Sequence, residues 1–231
     1  MNNRKIQYWV IPPKHDAEFV ANMEEVVEVY ERPYNPNHPF FCMDEQPVQL
    51  IKETRLPIPA TKNHAKRIDY EYERNGPAGI FMFTEPLSGR REAAARPRRT
   101  ETDRAVEVTR LLEDRYAEYE KITLVCDNLN TRTKGAFYEA FPPERARASV
   151  RRIEFCYTPE HGGRLNTAEN ELSSMTRQCL DNRRIGDIET LQKEIAAWSS
   201  DVNNSQRGVE WQMKISDARC KLKSVYPKIK S

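Results

Sequence analysis

Apolar residues along this chain fall in two rhythms. Short solid runs are bounded by Gly, Pro, Asn or Asp. Longer stretches instead repeat an apolar side chain every three or four positions. The solid runs predict buried strands at Phe40–Met43, Gly79–Thr84, Ile122–Cys126 and Ile153–Tyr157, with a weaker one near Glu92–Arg96. The three-to-four spacing predicts helices. One is capped by Asp16 and runs to about Glu31, with Phe19 or Val20, Met23, Val26 or Val27 and Tyr30 on one stripe. A second begins at Thr102 and carries Ala105, Val108, Leu112, Tyr116 and Tyr119. A third spans about Thr133 to Ala140 and stops at Pro142-Pro143, and a short helical piece then precedes Ile153. Leu165, Ala168, Leu172, Met175 and Cys179 mark a helix after the turn at residues 158–163. Ile188, Leu191, Ile195, Trp198 and Val202 mark another from Asp187, and Ser216 is expected to cap a last short helix.

Ile6–Ile11, closed by Pro12-Pro13, reads as an extended lead-in. Residues 45–75, with Pro47, Pro57 and Pro59, read as an irregular insertion in which only residues 69–74 alternate as a half-exposed strand would. The order is three strands, helix, strand, helix, strand, helices. A meander feeding alternating helices and strands implies a mixed sheet with helices packed on its faces, one α/β domain.

Composition changes this picture little. The 231 residues are 38% hydrophobic and 31% charged, with a mean hydropathy of -0.82, but the apolar residues are clustered rather than diluted. Net charge is only +2, so any polyanionic partner must be met by local distribution. Arg90, Arg91, Arg96, Arg98, Arg99 and Arg104 place six arginines within fifteen residues. They read either as a phosphate-contacting patch or as a charge-balanced solvated face. Five cysteines without a Cys-x-x-Cys pair argue against a zinc site or disulfide framework and suit reduced thiols in a cytosolic protein. No apolar stretch approaches the length of a membrane helix and no signal core follows the N-terminus, so the sequence reads as a soluble intracellular chain. A Gly-rich phosphate loop, a Gly-x-Ser-x-Gly elbow and a His-Glu-x-x-His are all missing, which leaves a small-molecule α/β enzyme with little support.

Three acids occupy pointed positions. Asp44 follows Phe40–Met43, Asp127 ends Ile122–Cys126, and Glu169 opens a helical pattern. Carboxylates on rigid elements suit Mg2+ or Mn2+, hard cations that take oxygen ligands and leave positions for water and phosphate. Among 35 acidic residues, spacing alone does not select this trio. Glu169 and Glu171 both sit about 80° from the mean apolar direction of their helix, so periodicity leaves the choice between them open.

Motifs around these acids decide more. Cys-Met-Asp-Glu (42–45), Gln-Leu-Ile-Lys-Glu-Thr-Arg (49–55), Asp-Tyr-Glu-Tyr-Glu-Arg-Asn-Gly (69–76), Asp-Asn-Leu-Asn-Thr (127–131), Tyr-Glu-Ala-Phe-Pro-Pro (138–143), Tyr-Thr-Pro-x-His-Gly (157–162) and Leu-Asn-x-Ala-Glu (165–169) closely resemble the bacterial insertion-sequence transposases related to the mariner elements. The resemblance runs from about Trp9 to Pro227. It implies a ribonuclease H-like, mixed five-stranded sheet flanked by helices, with the Asp44 strand central and the Asp127 strand parallel beside it. Residues 1–38 would form a lead-in and linker helix, and 39–231 the catalytic domain with its C-terminal helices. It also implies Asp44, Asp127 and Glu169 as catalytic metal ligands, two Mg2+ or Mn2+ ions, and cleavage and strand transfer of DNA. The family's third acid follows Leu-Asn and two further residues, which selects Glu169. Asn128 and His161 match family positions and would support the site. A turn role for Asn128 and a hydrogen bond of His161 within its own loop remain open beside that.

Arg90, Arg91, Arg96, Arg98 and Arg99 become candidate DNA contacts. Transposon ends and target DNA become the partners, with a homo-oligomer assembled on DNA in a bacterial cytoplasm. Several positions depart from the family's pattern: Arg132 for a usual His, Cys156 for His, Gly163-Arg164 for Ser-Trp, and Arg90 for Trp. Only 43 residues precede Asp44, too few beside their own helix for the family's helix-turn-helix region. A folded relic that binds DNA or other transposase subunits without cutting is therefore the alternative.

Overall fold

The computed structural model describes residues 16–127, 133–160, 162–205 and 207–228. Five strands form a single mixed sheet: β1 (Phe40–Glu53), β2 (Tyr72–Glu85), β3 (Arg90–Arg96), β4 (Ile122–Asp127) and β5 (Ile153–Thr158). Their spatial order is β3-β2-β1-β4-β5, so β1 is central. The first three strands form an antiparallel meander, and β4 and β5 add in parallel on the other side of β1. Parallel neighbours need crossovers, and helices supply them. These are α2 (Glu101–Asp114) before β4, then α3 (Thr133–Ala140) and α4 (Pro143–Arg151) before β5. Helix α1 (Ala17–Glu31) precedes the sheet, and α5 (Thr167–Met175), α6 (Ile188–Ser205) and α7 (Ile215–Lys221) follow it. No helix among the described residues is long and apolar enough to cross a membrane.

Alternation along the strands divides the core in two. Phe40 and Cys42 of β1, Ile80 and Met82 of β2 and Val125 of β4 face one side, with Val26 and Tyr30 of α1, Ala168 and Leu172 of α5, and Ile195 of α6. Phe41 and Met43, Phe81 and Phe83, and Leu124 and Cys126 face the other, with Val108 and Leu112 of α2 and Phe137 of α3. A smaller cluster joins Phe19, Met23 and Val27 of α1 to Ala218 of α7 and to Val225.

The strand ends differ from the sequence reading. Residues 45–53 are not irregular: they extend β1, and β2 begins at Tyr72 within the alternating stretch, so the two strands form a long hairpin with a register shift between Gln49 and Ile51. Pro47 sits inside β1 because the β4 ladder stops at Cys42, and a strand laddered on one side accommodates a proline. Farther along that open edge, Ile51 N–H donates to the Ile185 carbonyl at 2.8 Å. Asp127 is the last paired residue of β4, opposite Thr158.

Asp16 caps α1 as expected, accepting from Phe19 N–H at 2.9 Å. Helix α2 starts earlier than Thr102, because Thr100 and Asp103 close a capping box, and it ends before Tyr116 and Tyr119. Ser216 lies inside the first turn of α7, whose N-cap is Lys214.

Arg152, at the end of α4, secures the α2–β4 connection. Its guanidinium donates to the carbonyls of Leu112 at 3.2 Å, Tyr119 at 2.9 Å, and Tyr116. A cation at a helix C-terminus also complements the helix dipole. Replacing Arg152 with Ala is expected to cost about 2–3 kcal/mol, read as a lower urea midpoint. Arg152→Lys should not recover it, since an ammonium cannot span carbonyls that a planar fork reaches together.

Candidate active site

Asp44 follows Cys42 by two residues on β1, so its side chain belongs to the α5 face of the sheet. Gln46, the next residue on that face, confirms the direction: its Nε2 donates to Thr176 Oγ1, just after α5, at 3.1 Å. On β4, Val125 faces α5 and Asp127 follows by two. The β1–β4 ladder pairs Phe40 with Thr123 and Cys42 with Val125. Continuing that register by two residues sets Asp44 across from Asp127. The carboxylate of Asp127 is held from β5, where Thr158 Oγ1 donates to Oδ1 at 2.7 Å.

Glu169 comes from the first turn of α5, which packs on this same face through Ala168, Leu172 and Met175. Its carboxylate lies over Gly163, where a Cβ would come within 2.8 Å of Oε2. A side chain at 163 would therefore have to move Glu169.

Electrostatics link the three acids. Asp44 is raised from 3.8 to about 6. Burial is the main cause, partly offset by the Glu45 backbone N–H at 2.7 Å, and the charges of Asp127, Glu169 and Glu45 push it further up. Three hard oxygen donors of like charge thus share one end of one sheet face, which suits a hard divalent cation. The side chains themselves stand apart: among the described residues, no group of three His, Cys, Asp or Glu side chains converges closely enough to hold a metal ion.

The alternative acid is accounted for elsewhere. Glu171 Oε1 accepts from Arg91 Nη2 at 2.8 Å, and both side chains are largely buried. Arg91 also donates to the carbonyls of Gly89 and Arg207. Of the other arginines singled out above, Arg96 is bound to Glu107 at 2.6 Å, and Arg104 to Glu45 at 2.7 Å. Arg90 is half-buried, while Arg98 and Arg99 are on the surface, Arg99 with its guanidinium 3.9 Å from Glu45. The Arg98–Arg99 backbone crosses β2 at Gly79, where a Cβ would meet the Arg98 carbonyl oxygen at 2.9 Å, so a glycine is required there. Asn128, Arg132 and His161 lie outside the described residues. Cys156 is buried on the α5 face, its thiol pushed up by burial.

A groove of about 710 Å³ runs between β3 and α6, but none of the three acids lines it. The site rests on the acids rather than on this groove. Thr158 lies within the Tyr-Thr-Pro-x-His-Gly motif, but its hold on Asp127 appears only once β4 and β5 are paired.

The family model described as DDE superfamily endonuclease matches residues 39–192, and so includes all three acids. Among solved structures, the Mos1 mariner paired-end complex with Mg is 14% identical, with a TM-score of 0.56, covering 98% of this chain and 68% of that chain. The Mos1 paired-end complex with Mn is also 14% identical, with a TM-score of 0.52, over 87% of this chain and 60% of that one. The Mos1 strand transfer complex gives 14% and 0.52 over 86% and 59%. At this identity the likeness is one of fold, and in two of these comparisons the chain spans about 60% of the solved protein. No match to a curated protein was found.

Proposed function

We propose that this chain, which belongs to the DDE superfamily endonucleases, is the catalytic core of a mariner-related transposase that cuts DNA and joins the freed end to a target. Asp44, Asp127 and Glu169 are its catalytic carboxylates and would hold two Mg2+ or Mn2+ ions. Residues 1–38 serve as lead-in and linker helix, and 39–231 as the catalytic domain. When bound, the ions would supply Lewis-acid polarisation of the phosphodiester and a lowered pKa for the attacking water or 3′-hydroxyl. The chain's own residues provide placement. Strands β1 and β4 fix two acids, α5 brings the third to the same face, and Thr158 restricts rotation of the Asp127 carboxylate. Asn128 and His161 are proposed as supporting groups.

The observation that carries this reading is the convergence of two distant acids on Asp44. Asp127 and Glu169 arrive from other elements, 83 and 125 positions along the chain, yet both act on the Asp44 carboxyl. Surface acids scattered at random would not converge on one half-buried carboxyl in this way. DNA is the proposed substrate and partner, with two copies or more assembling on it. Arg98 and Arg99 are the exposed candidates for phosphate contact, and Arg90 is a third at the groove edge.

A second reading, a folded relic without catalysis, is favoured by the departures from the family pattern at Arg132 and Arg164. Electron paramagnetic resonance of Mn2+ decides between them. The intact chain is expected to bind Mn2+, and Asp127→Ala, checked for folding, to lose that binding. Equal uptake by both proteins, or none by either, would sink the intact-site reading in favour of the relic.

A further inference from the structure

The loop that launches α5 is fastened by buried hydrogen bonds that the chemistry above leaves unused. Tyr30 Oη, from α1, donates to the Leu165 carbonyl at 2.9 Å and accepts from Thr167 N–H at 3.3 Å. Thr84 of β2 meets Thr167, hydroxyl to hydroxyl, at 3.1 Å. Between Leu165 and Thr167 stands Asn166, only 1% exposed. Its Oδ1 accepts from Ala168 N–H at 3.1 Å, and its Nδ2 donates to the Met43 carbonyl at 2.8 Å. That carbonyl belongs to the peptide joining Met43 to Asp44, and Ala168 directly precedes Glu169. One side chain thus bridges the backbones beside two of the three acids, from elements 123 residues apart.

We propose that Asn166 is a positioning residue that sets Glu169 at a fixed separation from Asp44; its catalytic meaning rests on the function proposed above. Capping alone does not require this residue. A helix N-cap needs one acceptor, and Ser and Asp supply it as well as Asn does. Among the usual N-cap residues Ser, Thr, Asp and Asn, only asparagine carries an acceptor oxygen and a separate donor nitrogen. Burying an amide is costly unless both ends are bonded, and here both are. Serine is too short to reach the strand, and aspartate would turn an acceptor toward the Met43 carbonyl.

Asn166→Ser therefore separates the two roles. In a Cys220→Ser background, where the other cysteines are buried, spin labels on Gln49→Cys and Asn170→Cys report the β1–α5 separation by electron–electron resonance without metal. With the cap retained, Asn166→Ser is expected to fold but to melt somewhat below the parent, because the Met43 carbonyl loses a buried donor. Its distance distribution should broaden, and Mn2+ affinity should fall about tenfold or more, as for other residues that orient metal ligands. Asn166→Asp, which also caps, should restore neither. A folded Asn166→Ser protein with the parent's distance distribution and Mn2+ affinity would overturn the proposal and leave Asn166 as a cap. If the parent takes up no Mn2+, the metal reading of the function falls, and the metal-free distances still decide whether Asn166 holds the two elements together.

Discussion

Replacing Phe81 with Ala is expected to cost about 3–5 kcal/mol, a large share of the total stability of a domain of this kind. Phe81 is fully buried, in the middle of β2, and β2 is paired on both sides. Its ring belongs to the cluster that joins Phe41, Met43 and Phe83 of the meander to Val108, Leu111 and Leu112 of α2. Removing it takes apolar surface out of a close-packed layer that strands on either side cannot close, so a cavity term adds to the lost transfer energy. The urea midpoint should fall with little change in slope if the domain unfolds in one step. Phe81→Leu should cost far less, roughly 1–2 kcal/mol, and remains measurable if the alanine protein does not fold. Tyr70→Ala, at a side chain 84% exposed, should stay within about 0.5 kcal/mol of the parent. Equal losses at Phe81 and Tyr70 would contradict the layered core.

The same layering explains which parts of the fold could be read in advance. Strands buried on both faces, such as Ile122–Cys126 and Gly79–Thr84, announce themselves as solid apolar runs, and their order with the helices implied a mixed sheet. The outer half of the β1–β2 hairpin carries no such mark. From Asp44 to Glu53 only Leu50 is buried, so alternation there is too weak to outweigh Pro47, and in the exposed stretch 72–77 it marks only the first residues of β2. Pairing with a partner strand about thirty residues away sustains these segments, and a local window does not contain that information. Helix α5 similarly reads as continuous through Cys179, whereas residues 176–180 take a wider π turn that the spacing of Leu172, Met175 and Cys179 does not betray.

The candidate site divides along the same line. The position of Asp127 at the end of a buried strand is a local property and was legible. The choice of Glu169 over Glu171 was not a matter of periodicity, because both flank the buried stripe. In the folded chain the difference lies in Arg91, eighty residues earlier, which takes Glu171 into an ion pair. The arginine-rich stretch shows the same effect. In sequence it is one patch; in space Arg96 turns to Glu107, Arg104 and, more loosely, Arg99 turn to Glu45, and Arg98 stays at the surface. Charge density along a chain says little about charge density on a face when the partners come from distant elements.

Asp44→Asn is expected to stabilise the metal-free protein at pH 7 and to destabilise it relative to the parent once Mn2+ is supplied. The first sign follows from linkage. Folding raises the Asp44 carboxyl from 3.8 to about 6, so between those values the native state holds a proton that the unfolded state has released. Stability contributed by this group is therefore greatest at low pH and is lost as pH rises from about 4 to about 6. Above that window the ionised carboxylate is a standing cost, about 3 kcal/mol from the full shift and nearer 1–2 after allowance for partial exposure. Asparagine keeps the shape, removes the charge and relieves the repulsion from Asp127 and Glu169. Melting of the two proteins in chelator should cross over across this window, with the asparagine protein ahead at pH 7 and the advantage gone near pH 4. The second sign follows from binding. An ion that occupies the folded site stabilises it by about 2.7 kcal/mol at a hundredfold excess over Kd, and only the parent retains the full ligand set. A stabilised Asp44→Asn protein in chelator, overtaken by the parent in Mn2+, is the pattern expected of a carboxylate kept for a metal at the expense of the fold. If the substitution destabilises the protein equally with and without Mn2+, Asp44 is structural and the site assignment fails.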